Sequence, residues 1–484
     1  MTKPTLEEAR AFAADGRFRT LPVSREIFSD FTTPIKALQI LKGVSRRCYL
    51  LESAEDSRQW GRYTFLGFDP SMGISCTNGN LTIEAGTSPL TFKGDPREAI
   101  RQILRENKSP RIPGLPPFTG GLVGYFSYDF IKYAEPSLRL DAEDPEHFKD
   151  VDLMLFDKVI VFDNLMQKLI LIVNIRLDDV DTEYARAKLE LDNLIRLLRT
   201  GVPAPSRPGR LLSPFRPLFE KDAYCRMVEE AKRHIKEGDI FQVVLSNRLE
   251  ADFEGNLLDA YRVLRTTNPS PYLFYFSSDD LELAGASPET LVKLEDGVLH
   301  TFPLAGTRPR GRTEEEDKRL EKELAEHNML VDLGRNDLGR VSRFGSVKVE
   351  KYLSIERFSH VMHIGSTVRG QIREDCDALD AIGSVLPAGT LSGAPKLRAC
   401  QIINDLENCK RGIYGGAVGY LDFTGCMDTC IGIRLAFRKN GKVFVRSGAG
   451  IVADSVPESE YQECLNKAKA VMQALETAEG GIDR

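Results

Sequence analysis

The order of elements along the chain predicts an α+β fold with largely antiparallel sheets flanked by helices. Three observations carry that expectation. Strand-like segments come in clusters instead of alternating one by one with helices, which favours antiparallel sheets over a doubly wound parallel one. Helical segments, with apolar residues three and four apart, fall between the clusters. One proline-rich stretch, Gly201 to Pro217, breaks the composition, and its five prolines can continue neither a helix nor a central strand. It divides a region 1–200 from a region 218–484, with 201–217 as a linker or surface crossing.

The elements follow in order. Val159 to Asp163 and Lys168 to Ile175 are rich in β-branched residues and read as two strands joined by a short turn. Asp181 to Arg199 places Ala185, Leu189, Leu191, Leu194 and Leu198 at helical spacing. After the break, Glu220 to Glu237 reads as a helix stopped by Gly238, and Ile240 to Arg248 as a strand. Further strands are expected at Tyr272 to Phe276, Thr290 to Leu294, Val418 to Phe423, Ile431 to Arg438 and Lys442 to Ser447. Further helices are expected at Arg312 to Val331, Cys376 to Val385, Pro395 to Leu406 and Ser459 to Leu475. Ser455-Val-Pro-Glu458 has the form of a capping box, with Pro457 placed to start the last helix.

Composition removes several classes of function. The 484 residues are 42% apolar and 28% charged, enough to bury a sizeable core and unlike a disordered chain. At about 150 residues per domain the length suggests some three domains. A formal net charge of −6 argues against a dedicated nucleic-acid binder and weakly against docking on anionic lipid. No segment approaches the ~18 apolar residues of a membrane span. The polar start Met1-Thr-Lys-Pro-Thr-Leu-Glu-Glu is no signal peptide. The nine cysteines are scattered, odd in number and without zinc spacing, which fits a reduced, cytoplasmic protein.

Four constellations are able to carry chemistry. Glu460, Glu463 and Lys467 share one face of the last helix, just after Ser447-Gly-Ala-Gly-Ile-Val, whose glycines permit close approach to a ligand. Glu323 and Glu326 repeat the three-residue carboxylate spacing, and two such helices would supply the oxygen ligands Mg²⁺ wants. Both sets also read as solvated charged faces. Phe302 to Gly311 sets the backbone of Gly306 and Thr307 beside Arg308 and Arg310, suited to a carboxylate or to nothing more than a basic turn. Gly389 to Lys396 superficially resembles a phosphate loop but lacks its Gly-Lys-[Ser/Thr] ending. Glu289 and His363 stand isolated, and no serine-hydrolase elbow is present. These residues reach as far as a cytoplasmic Mg²⁺-dependent enzyme for a small anionic substrate.

The same motifs, taken in order, resemble the chorismate-utilising enzymes and, within them, the large synthase subunits of anthranilate synthase. The matching runs are Asp239 to Ser246, Ala286-Ser-Pro-Glu289, Pro303 to Gly311, Glu326 to Asp337, Val361-Met-His363, Leu386 to Lys396, Gly415 to Tyr420, Gly432-Ile-Arg434 and Gly448 to Ser455. They cover 220 to 475 densely and the first half thinly. The resemblance implies the chorismate-binding enzyme fold of two intertwined α/β parts, with the tryptophan regulatory site contributed by 1–200 and the catalytic region in 218–484.

The resemblance also assigns residues. Glu289 matches the general acid that protonates the departing C4 hydroxyl as ammonia adds at C2. His363 matches a histidine linked to the loss of pyruvate, and Thr390 stands with them at the catalytic centre. Mg²⁺ would be held by Glu326 and Glu463, with Glu323 and Glu460 behind them or as additional ligands. Chorismate's other carboxylate would meet Tyr420, Arg434 and the backbone of Gly448, Ala449 and Gly450, with Gly306, Thr307 and Lys467 completing the pocket. Two positions discriminate. Gln242 stands where isochorismate and salicylate synthases have a water-activating lysine. Ala305 stands where many aminodeoxychorismate synthases carry a lysine that attacks C2. Both point to anthranilate, with aminodeoxychorismate synthase component I and a non-catalytic tryptophan-binding regulatory subunit as the alternatives.

Leu50-Leu-Glu-Ser53 and Asn268 to Phe274 resemble the tryptophan-binding segments of feedback-inhibited members. Glu52, Ser53, Pro271, Tyr272 and Leu273 are the candidates. The implied partner is a glutamine amidotransferase subunit that supplies ammonia, in a heterotetramer of two synthase and two amidotransferase chains; neither nucleic acid nor membrane is expected.

Overall fold

The computed structural model describes residues 2–54, 61–86, 88–205, 207–309, 328–357 and 361–482, with the backbone alone at 304–309, 328, 353, 355–357 and 361–364. Among the described residues the named strands form two large sheets of fourteen and twelve strands. Every pairing within them is antiparallel.

Both sheets cross the boundary between the two halves of the sequence. In the first sheet Cys48–Glu52 pairs with Tyr272–Ser277, so that Glu52 lies opposite Leu273. In the second sheet Gly121–Phe126 pairs with Ala417–Asp422. The parts are therefore intertwined through backbone hydrogen bonds. The proline-rich stretch lies along the first sheet, where Arg210–Leu211 and Arg216–Pro217 each pair with the long strand Gln242–Glu254.

Side-chain alternation sorts the core into layers. Tyr49, Phe65, Val161 and Phe274 of the first sheet meet Val123, Tyr125, Phe156 and Tyr420 of the second in one aromatic core. Their neighbours Leu50, Leu66, Ile160 and Tyr275 point the other way, onto the helices Pro34–Lys42, Val180–Thr200, Leu258–Thr267 and Pro457–Thr477. The helices Pro96–Glu106 and Ala378–Val385 cover the outer face of the second sheet. Each large apolar side chain so buried contributes about 1.5–3 kcal/mol.

The expected hairpin is present, Lys158–Asp163 with Lys168–Arg176. The helix before the break runs Val180–Thr200, but its buried stripe is Tyr184, Ala187, Leu191, Leu194 and Leu198. Ala185 and Leu189 lie on its exposed side, because the stripe follows the bulkier Tyr184. The expected strand Ile431 to Arg438 is two strands, Met427–Ile431 and Leu435–Lys439. Gly432 bonds sideways to Gly416 and Arg434 adopts φ +50°, which interrupts the ladder. The capping box does not form. Val456 is the cap residue, no side chain caps the helix, and the Ser455 hydroxyl accepts the Val452 N–H at 3.1 Å. Of the helix expected at Arg312 to Val331, only the last residues fall in a described helix, Asn328–Gly339; the remainder lies outside the described residues.

Candidate active site

Glu289 follows the strand Glu282–Ser287 and is buried, 7% exposed. Its backbone carbonyl accepts the Ile431 N–H at 3.0 Å, which anchors the acid to the second sheet. The Thr390 hydroxyl, on the short turn Gly389–Leu391, donates to the Glu289 carboxylate, 3.2 and 3.3 Å from its two oxygens. Both residues line a cavity of about 30 Å³ with Thr301, Pro303 and Asp337. Asp337 pairs there with Lys396 at 2.8 Å. Burial raises the Asp337 carboxyl above its ordinary value and Lys396 opposes that rise. Burial pulls the Arg434 guanidinium down from its usual value, and the Glu289 carboxylate works against the shift. A buried carboxyl thus meets a hydroxyl donor, with the Arg434 guanidinium near enough for the two charges to interact.

The glycine run occupies the end of the strand Lys442–Ile451, with Gly448 opposite Ser246 and Gly450 opposite Val244. Ala449 is buried and packs into the core, which leaves its two glycine neighbours on the other face. Lys467 donates to the Gly448 carbonyl at 3.0 Å and pairs with Glu463 at 2.6 Å. The face predicted for Glu460, Glu463 and Lys467 therefore meets the glycine strand. Burial raises the Glu460 carboxyl, the neighbouring Glu463 adds to the rise, and a hydrogen bond from Ser455 opposes it. The Gln242 amide lies against Gly450, with its nitrogen 3.3 Å from where a side-chain carbon on that glycine would stand.

Tyr414 joins this group and escaped the sequence reading. Its hydroxyl is 2.9 Å from where a Cβ on Gly448 would be, so no residue but glycine fits that position without displacing the ring. The signal was present in Ile413-Tyr-Gly-Gly416, one residue upstream of the glycine pair at which the motif was cut.

Tyr420, expected at the substrate, stands elsewhere. It lies on the strand Ala417–Asp422 with its ring 4.4 Å from that of Phe118, and it lines a second cavity. The reason is alternation along the ladder, which turns this side chain toward the inter-sheet core. Thr307 and His363 are register partners on the neighbouring strands Leu304–Pro309 and Val361–Gln371. The register shifts between Ala305 and Thr307, which leaves Gly306 in a bulge. Glu323 and Glu326 lie outside the described residues.

The second cavity is about 330 Å³ and gathers Glu52, Ser53, Pro271, Tyr272 and Leu273. Its walls carry the rings of Tyr63, Phe65 and Tyr420, with Arg62, Lys293, Glu295 and Asp428 as charged groups. The Glu52 carboxylate is already engaged, by Arg265 at 2.8 Å and the Tyr261 hydroxyl at 2.5 Å. The Tyr272 hydroxyl shares a hydrogen bond with Thr290 at 2.9 Å and donates to Asp428 at 2.8 Å. Thr290 also lines the small cavity, so this one contact joins the two.

No helix among the described residues is long and apolar enough to cross a membrane. Residues 46–473 match the family model described as chorismate binding enzyme. The chain is 45% identical over 495 residues to anthranilate synthase component 1 of Acetivibrio thermocellus, covering 99% of each. It is 46% identical to the protein of the same name from Acinetobacter calcoaceticus, covering 96% of this chain and 97% of that one. The crystal structure of anthranilate synthase component I from Streptococcus pneumoniae superposes with a TM-score of 0.74 at 40% identity, covering 85% of this chain and 92% of the other. The chain belongs to the chorismate-binding enzyme family, in its anthranilate synthase component 1 branch.

Proposed function

We propose that the chain converts chorismate and ammonia to anthranilate and pyruvate, and is inhibited by tryptophan bound in the larger cavity. The observation that carries the first part is the buried Glu289 carboxyl, held by the Thr390 hydroxyl, with the charge of Arg434 close enough to act on it. Hydroxide is a poor leaving group, so the C4 oxygen must take a proton as it departs, and a carboxyl shielded from water is suited to give it. Arg434 suits the substrate's carboxylate, because a guanidinium binds that group with two parallel hydrogen bonds. Glycine at 448, with the Tyr414 hydroxyl packed against it, leaves the strand backbone bare for close approach of a substrate carboxylate. His363, the register partner of Thr307, would serve the elimination of pyruvate. Gln242, as an amide, cannot act as the base for water attack, and Ala305 leaves C2 open to ammonia.

Mg²⁺ fits the donors present. Glu460 and Glu463 offer carboxylate oxygens side by side, the hard ligands that ion requires, with Glu323 and Glu326 as the complementary pair. When bound, the ion would neutralise a substrate carboxylate and fix its orientation. Lys467, bonded to Glu463 and to the Gly448 carbonyl, holds one of these carboxylates toward the glycine strand.

The larger cavity supports the regulatory part. Its aromatic walls match an indole, and its opposite charges match an amino acid's two ends. Ammonia would come from a glutamine amidotransferase partner, in a pathway leading to tryptophan. Nine cysteines without a disulfide accord with a cytoplasmic setting.

The test mixes the purified chain with chorismate, Mg²⁺ and ammonium at alkaline pH and follows anthranilate fluorescence. A signal abolished by chelator and lowered by tryptophan is expected. Chorismate consumed without fluorescence would move the reading to aminodeoxychorismate. No consumption, even with an amidotransferase partner, would move it to a binding protein.

A further inference from the structure

Behind the site lies a buried charged network that the chemistry above does not use. Glu407, Arg411 and Arg446 are 3%, 2% and 3% exposed, so their charges must be met inside the protein. Arg411 donates to Glu407 at 2.6 and 3.0 Å, and Arg446 donates to it at 2.7 Å. Glu407 also accepts the Ser246 N–H at 2.7 Å. Two further Arg411 N–H groups donate to backbone carbonyls, Leu391 at 2.6 Å and Val244 at 2.7 Å. Its guanidinium also stands over the Tyr128 ring at 4.7 Å and the Tyr414 ring at 5.7 Å.

These contacts reach three parts of the site. Leu391 follows Thr390, whose hydroxyl holds Glu289. Val244 is the ladder partner of Gly450 and Ser246 that of Gly448. Tyr414 presses on Gly448. One rigid, planar group therefore spans the turn that carries Thr390, the strand that backs the glycines, and the tyrosine between them.

We propose that Arg411 is a positioning residue, whose guanidinium fixes the separation between the Thr390–Glu289 pair and the Gly448–Gly450 wall. The assignment rests on the chorismate-converting reading of this site and adds to it the residue that sets its width. Misplacing a reacting group by about 1 Å costs on the order of a hundredfold in rate. A lysine keeps the charge, but a single ammonium on a flexible stem cannot reproduce the planar fork.

Two variants test it, each beside the unaltered chain in the anthranilate assay. Arg411→Lys is expected to lose kcat on the order of a hundredfold while KM for chorismate moves less than about threefold. The triple variant Arg411→Met, Glu407→Leu, Arg446→Met replaces the whole network by apolar groups, which buried ion clusters often tolerate without loss of stability. It is expected to fold, with a Tm near that of the unaltered chain, and to show the same loss of kcat. A folded triple variant with undiminished kcat would overturn the proposal, and so would failure of both variants to fold, which leaves the network a stabilising role alone. An unaltered chain that makes no anthranilate would instead overturn the functional reading.

Discussion

The two cavities differ in where their walls come from. The 30 Å³ cavity beside Glu289 is lined from the second half of the chain only, by residues from Glu289 to Ile431. The 330 Å³ cavity is lined from both halves, by Leu51 to Pro117 on one side and Pro271 to Cys430 on the other. The small site is built of interlocked polar groups, Glu289 to Thr390 and Asp337 to Lys396. The large one is a space between aromatic rings that closes only when the halves meet. Under the proposed function, chemistry is confined to one half while regulation has a grip on both, and a ligand in the large cavity would bias their relative packing.

The comparison is broken most severely by Glu289→Gln. Removing the acid should lower kcat by about 10²- to 10⁴-fold while calorimetry finds tryptophan binding unchanged. Ser53→Phe should act in reverse. A ring placed in the large cavity should weaken tryptophan inhibition by roughly tenfold or more, with turnover retained; unchanged inhibition in this variant would sink the regulatory assignment. Tyr272→Phe sharpens the boundary itself, because it removes the hydroxyl that touches Thr290 and Asp428. One lost hydrogen bond is worth about 0.5–1.5 kcal/mol, so a few-fold change in both kcat and tryptophan affinity is expected in steady-state assays.

The smallest effect is one of pH on stability. Burial alone would raise the Glu407 carboxyl, but Arg411 and Arg446 hold it below its ordinary value. A depressed carboxylate stabilises the fold above the unfolded-state value and loses that contribution as pH falls toward the folded-state value. Thermal melts should therefore show Tm declining as pH drops below the ordinary glutamate range, with a shallower decline in Glu407→Gln.

What spacing could reveal followed the same division. The last helix, Pro457–Thr477, presents Glu460, Glu463 and Lys467 on one face as the three- and four-residue steps require, because a helix face is a local property. The pairing of Glu52 with Leu273 is not local. It joins segments more than two hundred residues apart, and only the resemblance to feedback-inhibited relatives put those two segments together. Tyr420 and Tyr414 show the limit most plainly. Tyr414 precedes the glycine pair and Tyr420 follows it in one short run, and which of them faces the site depends on where the ladder of Ala417–Asp422 begins. The interruption at Arg434 likewise follows from Gly432 bonding to Gly416, a contact no periodicity announces. The Glu407–Arg411–Arg446 network was unreadable because its carbonyl partners Leu391 and Val244 lie on separate elements far apart in sequence.

The most direct test of the division between the two cavities is a calorimetric titration of Glu289→Gln with tryptophan, beside a turnover assay of the same preparation. Tryptophan is expected to bind with the affinity of the unaltered chain in a protein whose turnover is lost. Tryptophan binding that disappears together with turnover would contradict it, since a single shared site would then explain both.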